Sequence, residues 1–147
     1  MALDEALRAP AHADIPVGAV LVRDGEVVAS SHNDREARNA VDGHAEMNVL
    51  RIGAERLGDR RLTGCTLYVT LEPCPMCAGA IVAAQVTRLV FGAWDPKAGA
   101  CGSLYNIVED PRLNHRLEVL RGVMAEECAA PLREFFAQRR GSGGGGI

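Results

Sequence analysis

Residues 66–77, TLYVTLEPCPMC, place a β-prone run directly before two cysteines that stand three positions apart. The run over 66–71 predicts a short strand. Pro75 predicts that a helix begins at once, because proline fits the first helical turn. The spacing places the sulfurs of Cys74 and Cys77 on one side of that turn, where the helix dipole stabilises thiolates. This stretch therefore predicts a strand–helix unit with two metal-binding thiols at its turn.

The rest of the chain alternates β-prone and helical patterns around this unit. Asp24-Gly25, between two valine-rich runs, is typical of a β-hairpin turn. The expected strands cover residues 16–23, 26–32, 66–71, 88–91 and 117–120. The expected helices cover residues 2–9, 44–57, 76–84 and 124–140. The segment 33–43 is polar and is expected to be irregular. Strands that alternate with helices imply parallel members and helices on both faces. The sequence thus predicts an α/β protein with three α/β/α layers and a mixed five-stranded sheet.

The length, charge and hydropathy of the chain limit its possible domain organisation, location and binding partners. The chain has 147 residues and a formal net charge of −3. We expect one domain over 1–140, and the Gly-rich run 141–147 has the composition of a flexible linker or an expression remnant. The sequence has neither a run of about 20 apolar residues nor a secretory pattern, so we expect a cytoplasmic protein without membrane contact. The slight negative charge argues against a broad nucleic-acid-binding surface but allows a local basic patch.

His44-Ala45-Glu46 supplies an imidazole and a carboxylate thirty residues before the cysteine pair. One histidine and two thiolates can hold zinc and leave its fourth position to water, whereas structural zinc sites use four protein ligands. Zinc lowers the pKa of that water towards about 7, and Glu46 would carry its proton to the substrate nitrogen and the leaving amine. His44 and Glu46 do not share a lateral helix face, so we expect two helix N-termini to converge on one ion.

Each half of this pattern also has less specific explanations. A lone His-x-Glu is almost uninformative, and a lone Cys-x-x-Cys is equally typical of a redox pair, half a structural zinc site or two buried thiols. The combination is specific, because a redox pair would leave His44 and Glu46 without a purpose. The remaining cysteines are expected to pack in the core, since an odd number of thiols in a reducing compartment does not indicate disulfides: Cys65, Cys101 and Cys128.

Around these motifs the chain resembles the bacterial tRNA adenosine deaminases, a branch of the zinc-dependent nucleoside and nucleobase deaminases. The resemblance runs from about residue 15 to 140 and rests on IPVGAV at 15–20, LYVTLEPCPMCAGA at 67–80, FGAWDPKAG at 91–99, GSL at 102–104 and NHR at 114–116. It implies a cytidine-deaminase-like fold and a homodimer. It also implies one zinc ion per chain on His44, Cys74 and Cys77, with Glu46 as the catalytic residue.

The resemblance implies a reaction as well. The wobble adenosine in an arginine tRNA anticodon stem-loop would be hydrolysed to inosine, with release of ammonia. The target base would swing out of its stack and be read by its edge and by stacking. The residues implied to contact the substrate are Asn33, Val17, Ala45, Asp95, Lys97, Phe136 and Arg139, with Phe135 and Arg140 beside them. The run Asn114-His115-Arg116 is implied to support the loop after the zinc motif or to face the RNA.

The segment before His44 departs from the family pattern. The family usually carries Asp-Pro-Thr-Ala there, whereas this chain has Ala40-Val41-Asp42-Gly43. The fixed φ of proline is lost, Gly43 adds conformational freedom, and Asp42 adds a negative charge near the expected pocket. The change is expected either to alter substrate preference or to be neutral.

Other functions remain open from the sequence. A deaminase of a free base or nucleoside, such as guanine or cytosine, is slightly favoured by the negative charge and by the altered segment 40–43. A zinc-stabilised subunit that binds RNA or a partner without catalysis is disfavoured, since no structural site needs the Glu46 carboxylate. An engineered single-stranded DNA adenine deaminase is a narrower alternative. The Gly-rich run 141–147 favours it, because this run has the composition of a fusion linker. Asp95, which is retained as in the family motif, gives it no support.

Overall fold

Five strands form one mixed sheet in the order β2-β1-β3-β4-β5 in the computed structural model, which describes residues 1–115 and 117–141. The strands are β1 (Gly18–Arg23), β2 (Glu26–His32), β3 (Cys65–Leu71), β4 (Arg88–Ala93) and β5 (Glu118–Leu120). β1 lies antiparallel to β2 and β3, while β3, β4 and β5 run parallel. The predicted hairpin turn is present, with positive φ at Asp24 and Gly25, 51° and 77°.

Helices cover both faces of this sheet. They are α1 (Ala2–Ala6), α2 (Arg35–Arg38), α3 (Ala45–Leu57), α4 (Pro75–Ala83) and α5 (Ala125–Gly141), with a 3₁₀ turn at Ala9–His12. On one face Gly53 of α3 lies against Leu21, and on the other Cys128 of α5 lies against Gly92. None of the helices in the described part of the chain combines the length and the apolarity that crossing a bilayer requires. The predicted three-layer α/β/α fold is confirmed.

The core between the sheet and helices α3 and α4 holds both helices against the sheet. Leu21, Leu67 and Leu89 stand side by side on adjacent strands and are fully buried. Burial of each such side chain stabilises the fold by roughly 1.5–3 kcal/mol relative to exposure. Val49 of α3 and Ile81 of α4 are buried in the same cluster. This packing holds the two helices in fixed positions on one face of the sheet.

One element was not predicted. The segment 33–43, expected to be irregular, contains the one-turn helix α2. The Asp14 carboxylate accepts the Glu36 N–H at 3.1 Å and so holds the first turn of this helix from 22 residues away. A contact at that sequence distance leaves no local pattern, which explains why the sequence analysis missed the helix.

Several predicted bounds shift by a few residues. The helix expected over 2–9 ends at Ala6 and is followed by the 3₁₀ turn, and β4 extends beyond the expected 91 to Ala93. β1 begins at Gly18 instead of 16, because Pro16 has no N–H to donate to a neighbouring strand. Of the predicted tail, Gly141 ends α5, while 142–147 lie outside the described residues, as does Arg116.

Candidate active site

The N-termini of α3 and α4 meet at one point of the fold. His44 directly precedes α3, and Cys74 directly precedes α4, whose first residue is Pro75. His44 Nδ1 lies 3.6 Å from Cys74 Sγ and 3.4 Å from Cys77 Sγ. The two helix N-termini therefore converge as the residue spacing predicts.

The three side chains have the separations that one tetrahedral ion requires. Their ligand atoms all lie within 4.8 Å of one another, and no second group of this kind occurs among residues 1–115 and 117–141. Zinc–sulfur bonds of about 2.3 Å and zinc–nitrogen bonds of about 2.0 Å, at tetrahedral angles, separate nitrogen from sulfur by about 3.5 Å. The measured N···S distances of 3.6 and 3.4 Å match this value. The cluster can hold a metal ion on three protein ligands.

The ligand group contains a negatively charged sulfur that can bind a cation. A hydrogen bond with Cys77 and another with His44 outweigh burial and lower the pKa of Cys74 to about 4, so its sulfur is a thiolate at neutral pH. The proton shared with Cys74, together with burial, raises the pKa of Cys77. The hydrogen bond to the thiolate likewise raises the pKa of His44. A metal ion would replace the protons that hold these groups together.

Glu46 lies in the first turn of α3 and is only 4% exposed. Burial raises the pKa of its carboxyl to about 7, against the opposing effect of His44. A carboxyl whose pKa lies near the working pH can accept a proton and return it in the same reaction cycle. The fold thus places a proton carrier beside the ligand group.

Asn33, directly after β2, fixes the start of α3. Its Oδ1 accepts the Ala45 N–H at 2.8 Å, and its own N–H donates to the Val17 carbonyl at 3.0 Å. The first N–H groups of a helix lack partners within the helix, so Asn33 satisfies one of them from outside. The Nδ2 group has no hydrogen bond to any described residue and is left for a molecule in the adjacent cavity. Contact of Asn33 and of the Ala45 N–H with a base stays a prediction.

A cavity of about 500 Å³ opens beside the ligand group, which is within the usual range for small-molecule sites. Its lining includes three residues predicted to bind substrate, together with members of the ligand group and the proton carrier: Val17, Asn33, Phe136, His44, Cys74 and Glu46. Arg140, at the end of α5, also lines it. The sequence therefore predicts residues from five separate segments that the fold brings to one cavity.

Among the residues of the cavity wall that the sequence did not predict, four are charged or aromatic: Arg35, Glu72, Trp94 and Arg133. Trp94 left a usable signal, because it is the only tryptophan of the chain and directly precedes Asp95. It is 46% exposed and packs edge-on against Phe91, with ring centres 5.2 Å apart. Arg35 and Arg133 left none, since arginines on polar helix faces are common in any sequence.

The other predicted substrate residues lie outside the cavity wall. Asp95 is buried, and its Oδ1 accepts the N–H groups of Lys97 and Ala98 at 3.0 and 3.1 Å. The Lys97 side chain is exposed. The Arg139 guanidinium lies 5.0 Å from the centre of the Phe135 ring. Asp95 therefore shapes its own turn, and contact with RNA stays a prediction for Asp95, Lys97 and Arg139.

Glu72 is a buried carboxylate that holds the loop after β4. It accepts the N–H groups of Asp95, Cys101 and Ser103 at 3.0, 3.0 and 2.9 Å, and also the Ser103 hydroxyl. Burial acts to raise the pKa of Glu72, but the hydrogen bonds outweigh it and lower the pKa. A Cβ at Gly99 would lie 2.3 Å from Glu72 Cδ, so only glycine fits there. The loop is thus fixed to the turn that carries the ligand cysteines.

The remaining motif residues have supporting positions. The other three cysteines are buried outside the ligand group, as predicted: Cys65, Cys101 and Cys128. His115 Nε2 donates to the Val86 carbonyl at 2.7 Å, which favours support of the loop over contact with RNA. Asn114 is exposed, and Arg116 lies outside the described residues.

Comparison with known proteins places this geometry in a family. Residues 1–140 match the MafB19-like deaminases. The tRNA-specific adenosine deaminase of Bacillus subtilis is 50% identical over 139 residues, which cover 95% of this chain and 86% of that protein.

Solved structures agree with the sequence match. A structure from a study of A-to-I editing by tRNA deaminases at the wobble position of transfer RNA is 46% identical, with a TM-score of 0.86 over 89% of this chain and 95% of that one. A guanine deaminase from Bacillus subtilis is 29% identical, with a TM-score of 0.63 over 95% of this chain and 89% of that one. The chain therefore belongs to the MafB19-like deaminase family and, within it, to the tRNA-specific adenosine deaminases.

Proposed function

We propose that this chain hydrolyses the wobble adenosine of a tRNA anticodon loop to inosine and releases ammonia. The observation that carries the proposal is that the ligand group of His44, Cys74 and Cys77 lies with Glu46 beside one cavity, in a chain 50% identical to a tRNA-specific adenosine deaminase. The family resemblance supports an arginine tRNA in the cytoplasm as the substrate.

We infer that the ligand group holds one zinc ion per chain. One imidazole and two thiolates form a donor set that suits zinc, and three protein ligands leave one position open, as in catalytic zinc sites. Bound zinc supplies Lewis acidity, which lowers the pKa of a water molecule towards about 7.

Glu46 moves the protons of the proposed reaction. Its carboxylate takes a proton from the attacking water, whose oxygen bonds to C6 of the adenine, and passes it to the adjacent ring nitrogen. The second proton of the water goes by the same carboxyl to the exocyclic amine, which leaves as ammonia when the C6–N bond breaks. Oxygen replaces nitrogen at C6 without a change of oxidation state, so no redox partner is needed.

The cavity residues would orient the base. Asn33 Nδ2 donates to the base or its ribose, because Oδ1 already accepts from Ala45. Val17 and Phe136 supply apolar and aromatic surface at the cavity wall. Outside the cavity, we assign contacts with the nucleotides that flank the target to Asp95, Lys97 and Arg139.

A substrate panel tests the proposed function. Zinc-loaded protein is given an arginine tRNA anticodon stem-loop, the same loop as single-stranded DNA, free adenosine and free guanine, and ammonia and inosine are measured. We expect turnover of the stem-loop, with a rate that falls steeply as salt rises, because phosphate contacts release counterions. The second candidate function is deamination of a free base, which the similarity to a guanine deaminase favours. Turnover of guanine alone would support this second function and refute the first.

Glu46→Gln tests the assigned chemistry. The amide keeps the size of the side chain but cannot accept a proton, so kcat should fall by about 10²–10⁴ while the metal content stays the same. Glu55→Gln, at an exposed position of the same helix, is the matched control and should retain full activity. A metal-loaded Glu46→Gln enzyme with an undiminished kcat would remove Glu46 from the mechanism.

We also propose that two copies pair through the exposed face of α4. This helix carries no charged side chain, and its Met76 and Gly79 are exposed. The loop that Glu72 holds adds Leu104 and Tyr105, which are 54% and 59% exposed. Gly79→Arg should convert a dimer to a monomer in light scattering, whereas an arginine at exposed Ala130 of α5 should not. A monomeric parent protein at micromolar concentration would refute the pairing.

A further inference from the structure

Arg35 is a cation in the wall of the active-site cavity, and its Nε has no hydrogen-bond partner among the described residues. It begins α2 and lines the cavity with Asn33 and His44. The Nε atom is buried. A buried donor without a partner costs free energy, and more so when it is charged. The missing acceptor is therefore expected on a molecule that enters the cavity.

Two neighbouring arginines differ from Arg35 in having carboxylate partners in the described part of the chain. Arg38, on the same helix, pairs with Asp34 at 2.7 Å. Arg133, which also lines the cavity, pairs with Glu126. Both guanidinium groups thus have carboxylate partners within the protein, while the Arg35 Nε makes no hydrogen bond to any described residue.

The position of Arg35 is fixed from two sides. The Asp14 carboxylate accepts the N–H of the following residue, Glu36, at 3.1 Å. On the other side, the Asp34 N–H donates to the Gly43 carbonyl at 2.9 Å. The backbone on both sides of Arg35 is thus anchored, so binding of a ligand by this residue does not have to order the main chain.

Gly43 is what allows this approach. A Cβ at position 43 would lie 2.7 Å from both the backbone N and the Cα of Arg35, and backbone atoms cannot move aside as a flexible side chain can. The glycine in Ala40-Val41-Asp42-Gly43, where the family usually has alanine, therefore has a structural consequence. It lets the start of α2 pack directly against the residue before His44.

We propose that Arg35 binds a backbone phosphate of the RNA next to the nucleotide whose base occupies the cavity. The inference rests on the proposed function, because a base that enters this cavity as part of an RNA strand brings phosphates to its rim. Guanidinium groups bind phosphate oxygens through paired, charge-assisted hydrogen bonds. In a chain with a net charge of −3, such a local cation also offsets repulsion between protein and RNA.

The salt dependence of kcat/KM tests the assignment. Arg35→Gln should lower kcat/KM for the anticodon stem-loop roughly tenfold and reduce the slope of its logarithm against log salt by about 0.7, the value for one contact on a single strand. Arg35→Lys should restore most of the slope, since it keeps the charge. Arg60→Gln is the control, because Arg60 is exposed beyond the far end of α3, about 20 Å from His44.

Methylphosphonate linkages identify the phosphate. Each linkage removes the charge of one phosphate near the wobble position. One of these linkages should reduce kcat/KM of the parent enzyme as much as Arg35→Gln does. When that linkage and Arg35→Gln are combined, kcat/KM should fall no further. An Arg35→Gln enzyme that keeps the parent slope, or additive losses at every linkage, would overturn the phosphate contact alone. A parent enzyme inactive on the stem-loop would overturn the proposed function, and this inference with it.

Discussion

The side-chain oxygen of Asn33 accepts the backbone N–H of Ala45 at 2.8 Å, so one amide both caps α3 and borders the cavity. The cap fixes the first turn of the helix that carries His44 and Glu46 at its start. It also determines which end of the amide is available, because Oδ1 is occupied and Nδ2 remains. Stability and substrate binding thus depend on different atoms of a single side chain.

Two substitutions separate these roles. Asn33→Asp keeps an acceptor for Ala45 but loses the Nδ2 donor, so the midpoint of urea unfolding should stay near that of the parent while kcat/KM falls about tenfold or more. Asn33→Ala loses both, and its free energy of unfolding should also fall by about 1 kcal/mol. Equal stability loss in both variants would show that the acceptor is not what holds the helix.

Glu72→Gln should destabilise the fold by about 3 kcal/mol at pH 7, because a neutral amide cannot accept four hydrogen bonds as a carboxylate does. The pKa of Glu72 is lowered in the folded protein, so its contribution is fully present above the ordinary value of 4.5 and is lost as the pH falls through the lower folded-state value. The difference in unfolding free energy between parent and variant should shrink below pH 4.5. Glu55→Gln, an exposed control, should show no difference at either pH.

Zinc uptake by the metal-free protein should release protons. Cys74 is already a thiolate at neutral pH, while Cys77 is a thiol whose proton zinc must displace. The raised pKa of His44 adds a further proton for the fraction of molecules in which this ring is charged. We expect about one to two protons per ion, and weaker zinc binding as the pH falls. Calorimetry in two buffers of different ionisation enthalpy measures this number. Zinc binding without proton release would contradict the assignment of one proton shared between Cys74 and Cys77.

Trp94 should report RNA binding directly. It is the only tryptophan of the chain, is 46% exposed and lines the cavity. A nucleobase that stacks on the indole should quench its fluorescence, and Trp94→Ala should weaken binding by about 1–3 kcal/mol, while Trp94→Phe should retain most of the affinity. Unchanged emission at RNA concentrations that saturate the anisotropy of a labelled stem-loop would place the bound strand elsewhere.

The sheet and the cysteine pair could be predicted because their signals are local, whereas the place of His44 in the ligand group followed only from combining two motifs thirty residues apart. A β-prone run, a proline and two cysteines lie within residues 66–77, and Asp24-Gly25 marks the hairpin by itself. Helix α2 could not be predicted, since it depends on Asp14, 22 residues from the N–H that it accepts.

The cavity wall was predictable only in part, for the same physical reason. Val17, Asn33 and Phe136 follow from resemblance to family motifs, whereas Glu72 gains its role from partners up to 31 residues further along the chain. The role of Arg35 depends on its close contact with Gly43, a packing relationship that no periodicity in the sequence encodes.

The two helix starts that supply His44 and Cys74 are 30 residues apart in the chain, with the whole of α3 and β3 between them. An ion bound by both would act as a cross-link that closes this loop and removes conformations from the unfolded chain. A covalent link of comparable span contributes about 3–4 kcal/mol. Loss of the ion would therefore make the chain more susceptible to proteolysis, and it would also stop catalysis. The cellular amount of the enzyme, and not only its specific activity, would then follow the zinc supply.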